Sequence, residues 1–183
     1  MKSLQLLALS TLLLPIAAQA QSAPAGDAVA NPITVTVKQQ LGRSSRIMVQ
    51  AADMMPAEKY SFAPMPGMMT FGQQIQHDAQ FFGNLCAQIS GKPAPDTKDL
   101  KDTDPKDKLV AALKSMFDFC TSALANVDDS NLGQVVGKLG PNNLTRGGAL
   151  ILLSDEFADH YGAEGTYLRL NNMLPPTAQP AKK

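Results

Sequence analysis

Four stretches of the chain repeat apolar residues at the three-to-four-residue spacing of an amphipathic helix. The first runs from Ile33 through Val37, Leu41, Ile47, Met48, Ala51, Ala52 and Met55 to Pro56. Its opening, Ile33-Thr34-Val35-Thr36-Val37, alternates as a strand would, but it continues without a break into Lys38-Gln39-Gln40-Leu41 and reads as the start of the helix. The second places Phe71, Ile75, Phe82, Leu85, Cys86 and Ile89 on one side. Thr70 and Gln73 have the spacing of a capping box at its start, and Gly91, Pro93 and Pro95 end it. The third carries Leu109, Leu113, Met116, Phe117, Cys120 and Leu124, with a start at Asp104-Pro105 that puts proline at the first helical position. The fourth carries Leu150, Leu153, Phe157, Tyr161 and Leu168, is capped by Thr145, and ends near Asn171 ahead of Pro175-Pro176. Pro64, Pro66 and Gly67 separate the first two helices. Residues 127–144, rich in Asp, Asn and Gly, predict a loop with a short helical turn at Leu132–Val136. Strand signals are weak throughout. The pattern predicts an all-α protein, a four-helix bundle over residues 33–176.

The ends read differently. Lys2 precedes an apolar run from Leu4 to Ala18, and Ala18-Gln19-Ala20 sets small residues where a signal peptidase reads. Residues 1–20 are therefore expected to be a secretory signal peptide, with a mature chain starting at Gln21. The run is short for a span of about 20 residues, so no stable membrane insertion is expected after cleavage. Without a cysteine following the cleavage site, no lipid anchor is expected either. Residues 21–32 read as a flexible leader and 177–183 as a disordered tail. The destination is periplasmic or secreted.

Charge narrows the partners. The 16 basic and 16 acidic residues balance. With no basic excess or stripe, and no Trp, the composition argues against nucleic acid. Cys86 and Cys120 are the only cysteines. In an oxidising compartment they can join the second helix to the third, closing a loop of about 35 residues worth about 3–4 kcal/mol on the chain-entropy model. The alternative is a pair of buried free thiols. The absence of CxxC spacing speaks against metal ligation by these two.

The chain has two histidines, His77 on the second helix and His160 on the fourth. Glu156, His160 and Glu164 lie one helical turn apart on one face, a ladder of candidate ligands bordering the apolar stripe. Carboxylates and imidazoles projecting inward from facing helices are how bundles build metal sites. His77 sits at the edge of its helix's stripe. Asp78 falls inside it, and a buried carboxylate needs a partner. The plainer reading makes each histidine a satisfied or surface residue. The nine methionines include a cluster, Met54-Met55, Met65 and Met68-Met69. Thioethers can hold copper, but core filling and loop packing are the commoner use. Arg169, near Tyr167, can bind an anionic substrate, but the commoner use, expected here, is to pair with an acid at the helix end.

Three segments carry a family resemblance. Ala52 to Gly67, including Met55-Pro56-Ala57-Glu58-Lys59-Tyr60-Ser61-Phe62, resembles the first helix end and following loop of exported DinB-like proteins. Phe71-Gly72 with His77 resembles their second-helix segment. Asp159-His160-Tyr161-Gly162, Tyr167-Leu168-Arg169-Leu170-Asn171 and Pro175-Pro176 resemble their close. The resemblance implies a four-helix bundle, often paired as a homodimer, similar to DNA-damage-inducible DinB proteins and to bacterial thiol transferases. It also implies a metal site of three histidines, one on the second helix and an H-x-x-x-H pair on the fourth. His77 and His160 match that pattern, and Glu156 stands where the pair's first histidine falls. The implied ligand set is His77, Glu156 and His160, with Asp78, Asp159 or Glu164 supporting it. Such a set suits Zn²⁺, Ni²⁺, Fe²⁺ or Mn²⁺ and leaves room for a small-molecule substrate. Ala163 replaces the Gln that often follows the family's His-Tyr-Gly. The implied activity is metal-dependent hydrolysis or thiol transfer. The alternative is a non-catalytic periplasmic bundle that binds a small molecule or partner and keeps a degenerate site.

Overall fold

In the computed structural model, which describes residues 26–180, four helices form one bundle: α1 (Pro32–Met54), α2 (Phe71–Ser90), α3 (Lys106–Leu124) and α4 (Arg146–Leu170). α1 packs on α3 and α4, and α2 packs on the same two, so α1 faces α2 across one diagonal and α3 faces α4 across the other. The connections from α1 to α2 and from α3 to α4 therefore cross the bundle. Met48, Phe71, Phe82, Phe117 and Phe157 are fully buried at its centre. The expected signal peptide lies outside the described residues. No helix among those described is long and apolar enough to cross a membrane.

Local chemistry fixes the helix ends. Thr70 and Gln73 complete a reciprocal capping box: the Gln73 amide donates to Thr70 Oγ1 at 3.1 Å and the Thr70 amide to Gln73 Oε1 at 2.8 Å. Thr145 accepts from the Gly148 amide at 3.1 Å. Pro105 sits at the N-cap of α3, one position before the helix rather than inside it. α1 begins at Pro32, after Asn31 in a left-handed conformation (φ 53°). Its first free amides, from Ile33 and Thr34, each donate at 2.9 Å to the Asp129 carboxylate, and Asn31 Oδ1 accepts the Asp129 amide at 3.1 Å. Those bonds hold Asp129 below the usual carboxylate range against the opposing effect of desolvation.

Two further expectations need correction. The segment read as a loop with a helical turn at Leu132–Val136 instead forms a short helical turn at Asp129–Asn131 and an antiparallel hairpin, β1 (Val135–Leu139) with β2 (Asn142–Thr145). Gly140 and Pro141 make its two-residue loop, with Gly140 at the positive φ (57°) that such loops demand. The tail expected to be disordered from residue 177 begins in a helical turn, Pro176–Ala178, whose Thr177 amide donates to the Tyr161 hydroxyl at 3.0 Å. Cys86 and Cys120 form a disulfide between α2 and α3, Cα to Cα 5.3 Å.

Candidate metal centre

His160 is the pivot of the site. It faces inward from the middle of α4 and is 7% exposed. Its Nδ1 donates to Asp78 Oδ1 at 2.6 Å, and its Nε2 lies 3.2 Å from Glu156 Oε2, one turn earlier on α4. Asp78 is fully buried on α2, and its Oδ1 also accepts from Gln74 Nε2 at 2.9 Å. An imidazole tied through Nδ1–H to a carboxylate keeps its Nε2 lone pair for a cation, with the ring fixed in orientation; metal-binding histidines are commonly supported in this way. Asp159 joins the group. One ligand atom from each of Glu156, Asp159 and His160 lies within 4.8 Å of the others. Asp159 is i+3 from Glu156, the spacing that brings side chains together on a helix surface.

His77 stands beside this cluster. Its ring centroid is 5.3 Å from that of His160, and it stacks on Phe81 at 5.5 Å. Phe82 packs below His160 at 5.0 Å. These aromatic rings floor the site and do not separate Glu156 from His160.

Glu164, the outer rung of the predicted ladder, is fully buried behind the cluster, within hydrogen-bond reach of Asp78. Neither of its oxygens, nor Asp78 Oδ2, meets a donor among the described residues. Two acceptors held together in an apolar interior are reconciled by one shared proton. Burial first, then the Asp78 charge, raises the Glu164 carboxyl well above the usual range. For His160, burial pushes the pKa down, but the hydrogen bond and charge of Asp78, followed by Glu156 and Asp159, outweigh it and the net direction is up. A proton on Nε2 and a cation at Nε2 are thus competitors for the same place. The donor set, one imidazole and two carboxylates beside a second imidazole, fits a borderline divalent ion.

The remaining candidates act elsewhere. Tyr167 donates its hydroxyl to the Met69 carbonyl at 2.5 Å. Arg169 does not pair with an acid as expected; its Nη1 donates to the Gly165 carbonyl at 3.2 Å, and no carboxylate bridges to it among the described residues. The methionine cluster divides: Met55 is core, whereas Met65, Met68 and Met69 are exposed.

Comparison with solved structures finds a DinB-like protein from Bacillus subtilis with TM-score 0.64 and 16% identity, covering 80% of this chain and 99% of the other. A DinB-like protein from Bacillus cereus superposes with TM-score 0.66 and 16% identity, covering 76% of this chain and 93% of the other. Curated protein sequences give no match. The DinB superfamily model matches residues 40–163, from within α1 through His77, Glu156, Asp159 and His160, and the chain belongs to the DinB superfamily.

Proposed function

We propose that this is an exported DinB-superfamily protein that binds a divalent metal through Glu156 and His160, with Asp159 and His77 completing the set. It uses that metal in hydrolysis, or in transfer to or from sulfur, on a small molecule. The observation that carries this reading is the Asp78–His160–Glu156 line, in which a buried carboxylate holds Nδ1 at 2.6 Å and leaves Nε2 facing a second carboxylate. A divalent ion bound there supplies Lewis acidity and lowers the pKa of a coordinated water or thiol toward neutrality. The chain's own contribution is to fix the imidazole through Asp78, to keep water from its inner side with Phe82, and to bring Asp159, exposed at the rim, into the ligand set. Export is supported by the N-terminal pattern and by the Cys86–Cys120 disulfide, which suits an oxidising compartment. The charge balance supports a small-molecule partner over nucleic acid.

A second reading rests on the same contact: an imidazolium clamped between Asp78 and Glu156 is a structural ion pair with no catalytic use. Metal content by mass spectrometry on the protein purified without chelator separates the two. The expected result is near-stoichiometric metal in the parent and loss of it in His160→Ala and Glu156→Gln. An empty parent that takes up no Zn²⁺, Ni²⁺, Mn²⁺ or anaerobic Fe²⁺ would establish the ion pair and end the metalloenzyme reading.

A further inference from the structure

Among the described residues, the exposed methionines lie together in one short segment. Met65, Met68 and Met69 are 60%, 45% and 45% exposed, whereas Met48, Met55 and Met116 are core. The turn has a fixed shape. The Met68 amide donates to the Met65 carbonyl at 3.2 Å, and Gly67 takes the left-handed conformation (φ 88°) that the third position of a Pro-Gly turn requires. The Tyr167 hydroxyl anchors the Met69 carbonyl to α4. These thioethers therefore hang from a defined backbone, beside α2.

Met68 and Met69 line a cleft of about 370 Å³ together with His77. The rest of its polar wall is Gln73, Gln76, Gln80 and Asp102. The amides are turned the same way. Gln76 Nε2 donates to the Leu100 carbonyl at 2.7 Å, Gln80 Nε2 to the Thr97 carbonyl at 3.2 Å, and Gln73 Nε2 to Asp102 Oδ2 at 2.9 Å. With their NH₂ groups spent on the 97–102 segment, Gln76 and Gln80 present carbonyl oxygens. The wall thus offers lone pairs from thioethers, an imidazole, amide oxygens and one carboxylate, and no lysine or arginine lines it among the described residues. Such a wall receives a cation. Thioethers are soft donors and, with imidazole, favour Cu(I) over the hard divalent ions. Because the chain's two thiols are locked in the disulfide, thioether and imidazole are its remaining soft donors.

We propose that Met68, Met69 and His77 form a binding site for Cu(I) that adjoins the acidic cluster around His160, His77 serving one ion or the other. The site shares only His77 with the divalent-metal reading and does not rest on it. The test is a competition titration of the full mature chain with Cu(I), bicinchoninate as competitor and ascorbate as reductant. The parent is expected to take one equivalent, and Met68→Leu/Met69→Leu to bind it about tenfold more weakly or worse. That double variant should keep its divalent-metal content, and Glu156→Gln should keep its Cu(I) affinity. Methionine methyl NMR with Ag(I), a redox-inert stand-in, should move the signals of Met68 and Met69 and leave those of Met48, Met55 and Met116 in place. No binding by the parent, equal affinity in parent and double variant, or shifts confined to the core methionines would overturn the proposal.

Discussion

Glu164→Gln isolates the buried acid pair in a single measurement. Glu164 is fully buried, neither of its oxygens has a donor among the described residues, and its neighbour Asp78 Oδ2 is another acceptor. The side chain therefore carries a proton in the folded protein, and its pKa stands well above 4.5. In the unfolded chain it ionises near its ordinary value of about 4.3. Between those two values the folded state binds one more proton than the unfolded state, so stability is greatest below the unfolded pKa and falls as pH rises. The slope for one proton is at most about 1.4 kcal/mol per pH unit. Glutamine keeps the shape, can donate its Nε2 to Asp78 Oδ2, and does not titrate. His160, whose pKa is also raised, adds a fall of the same sign to parent and variant alike, so the difference between the two profiles reports Glu164. Urea unfolding of both proteins at pH 5, 6 and 7 should show the variant gaining on the parent as pH rises. Parallel profiles would show that Glu164 is not held neutral, and the account of the pair would be wrong.

Two further perturbations test the scaffold. Reducing the Cys86–Cys120 bridge opens a loop with a sequence separation of 34. It should cost about 4 kcal/mol on the chain-entropy model and lower Tm by about 8–15 °C; equal melting curves with and without reductant would contradict that, as would two titratable thiols in the native protein. Gly72→Ala places a Cβ 2.8 Å from the Asp102 carbonyl and 3.2 Å from that of Tyr60. Both are backbone atoms that must give way, so urea denaturation should show a loss of about 1–3 kcal/mol, and an unchanged midpoint would mean the 102 segment moves freely.

The helices were legible because each buries a stripe that the 3.6-residue period exposes, and because Thr70 and Thr145 mark their starts with side chains that have few other uses there. The hairpin was not. Val135-Val136 and Leu144 flank Gly140-Pro141, a recognisable two-residue turn, but the strands are five and four residues long and mostly exposed, so no alternation stood out from the Asp, Asn and Gly around them. In the site, Asp78 was readable as a carboxylate inside an apolar stripe, which forces a partner on it; that partner is His160. Glu164 looked like another rung on the face of His160, and nothing in the spacing said that it lies wholly inside the bundle. Its depth depends on how α4 meets α2, a tertiary fact. The role of Asp159 beside Glu156 depends on rotamers that a helical wheel does not carry.

The clasp between Asn31 and Asp129 sets a chemical boundary for the domain. Among the described residues, those before Asn31 make no hydrogen bond to it, so an aminopeptidase that trims them should leave the first helix as tight as before. Removing residues through Thr34 would take away both the acceptor for the Asp129 amide and the two amides that hold its carboxylate, and free the loop that leads into the hairpin. Resistance to trimming should therefore rise abruptly at one residue, and the length of the surviving fragment would read out the intactness of a joint nearly a hundred positions away in sequence.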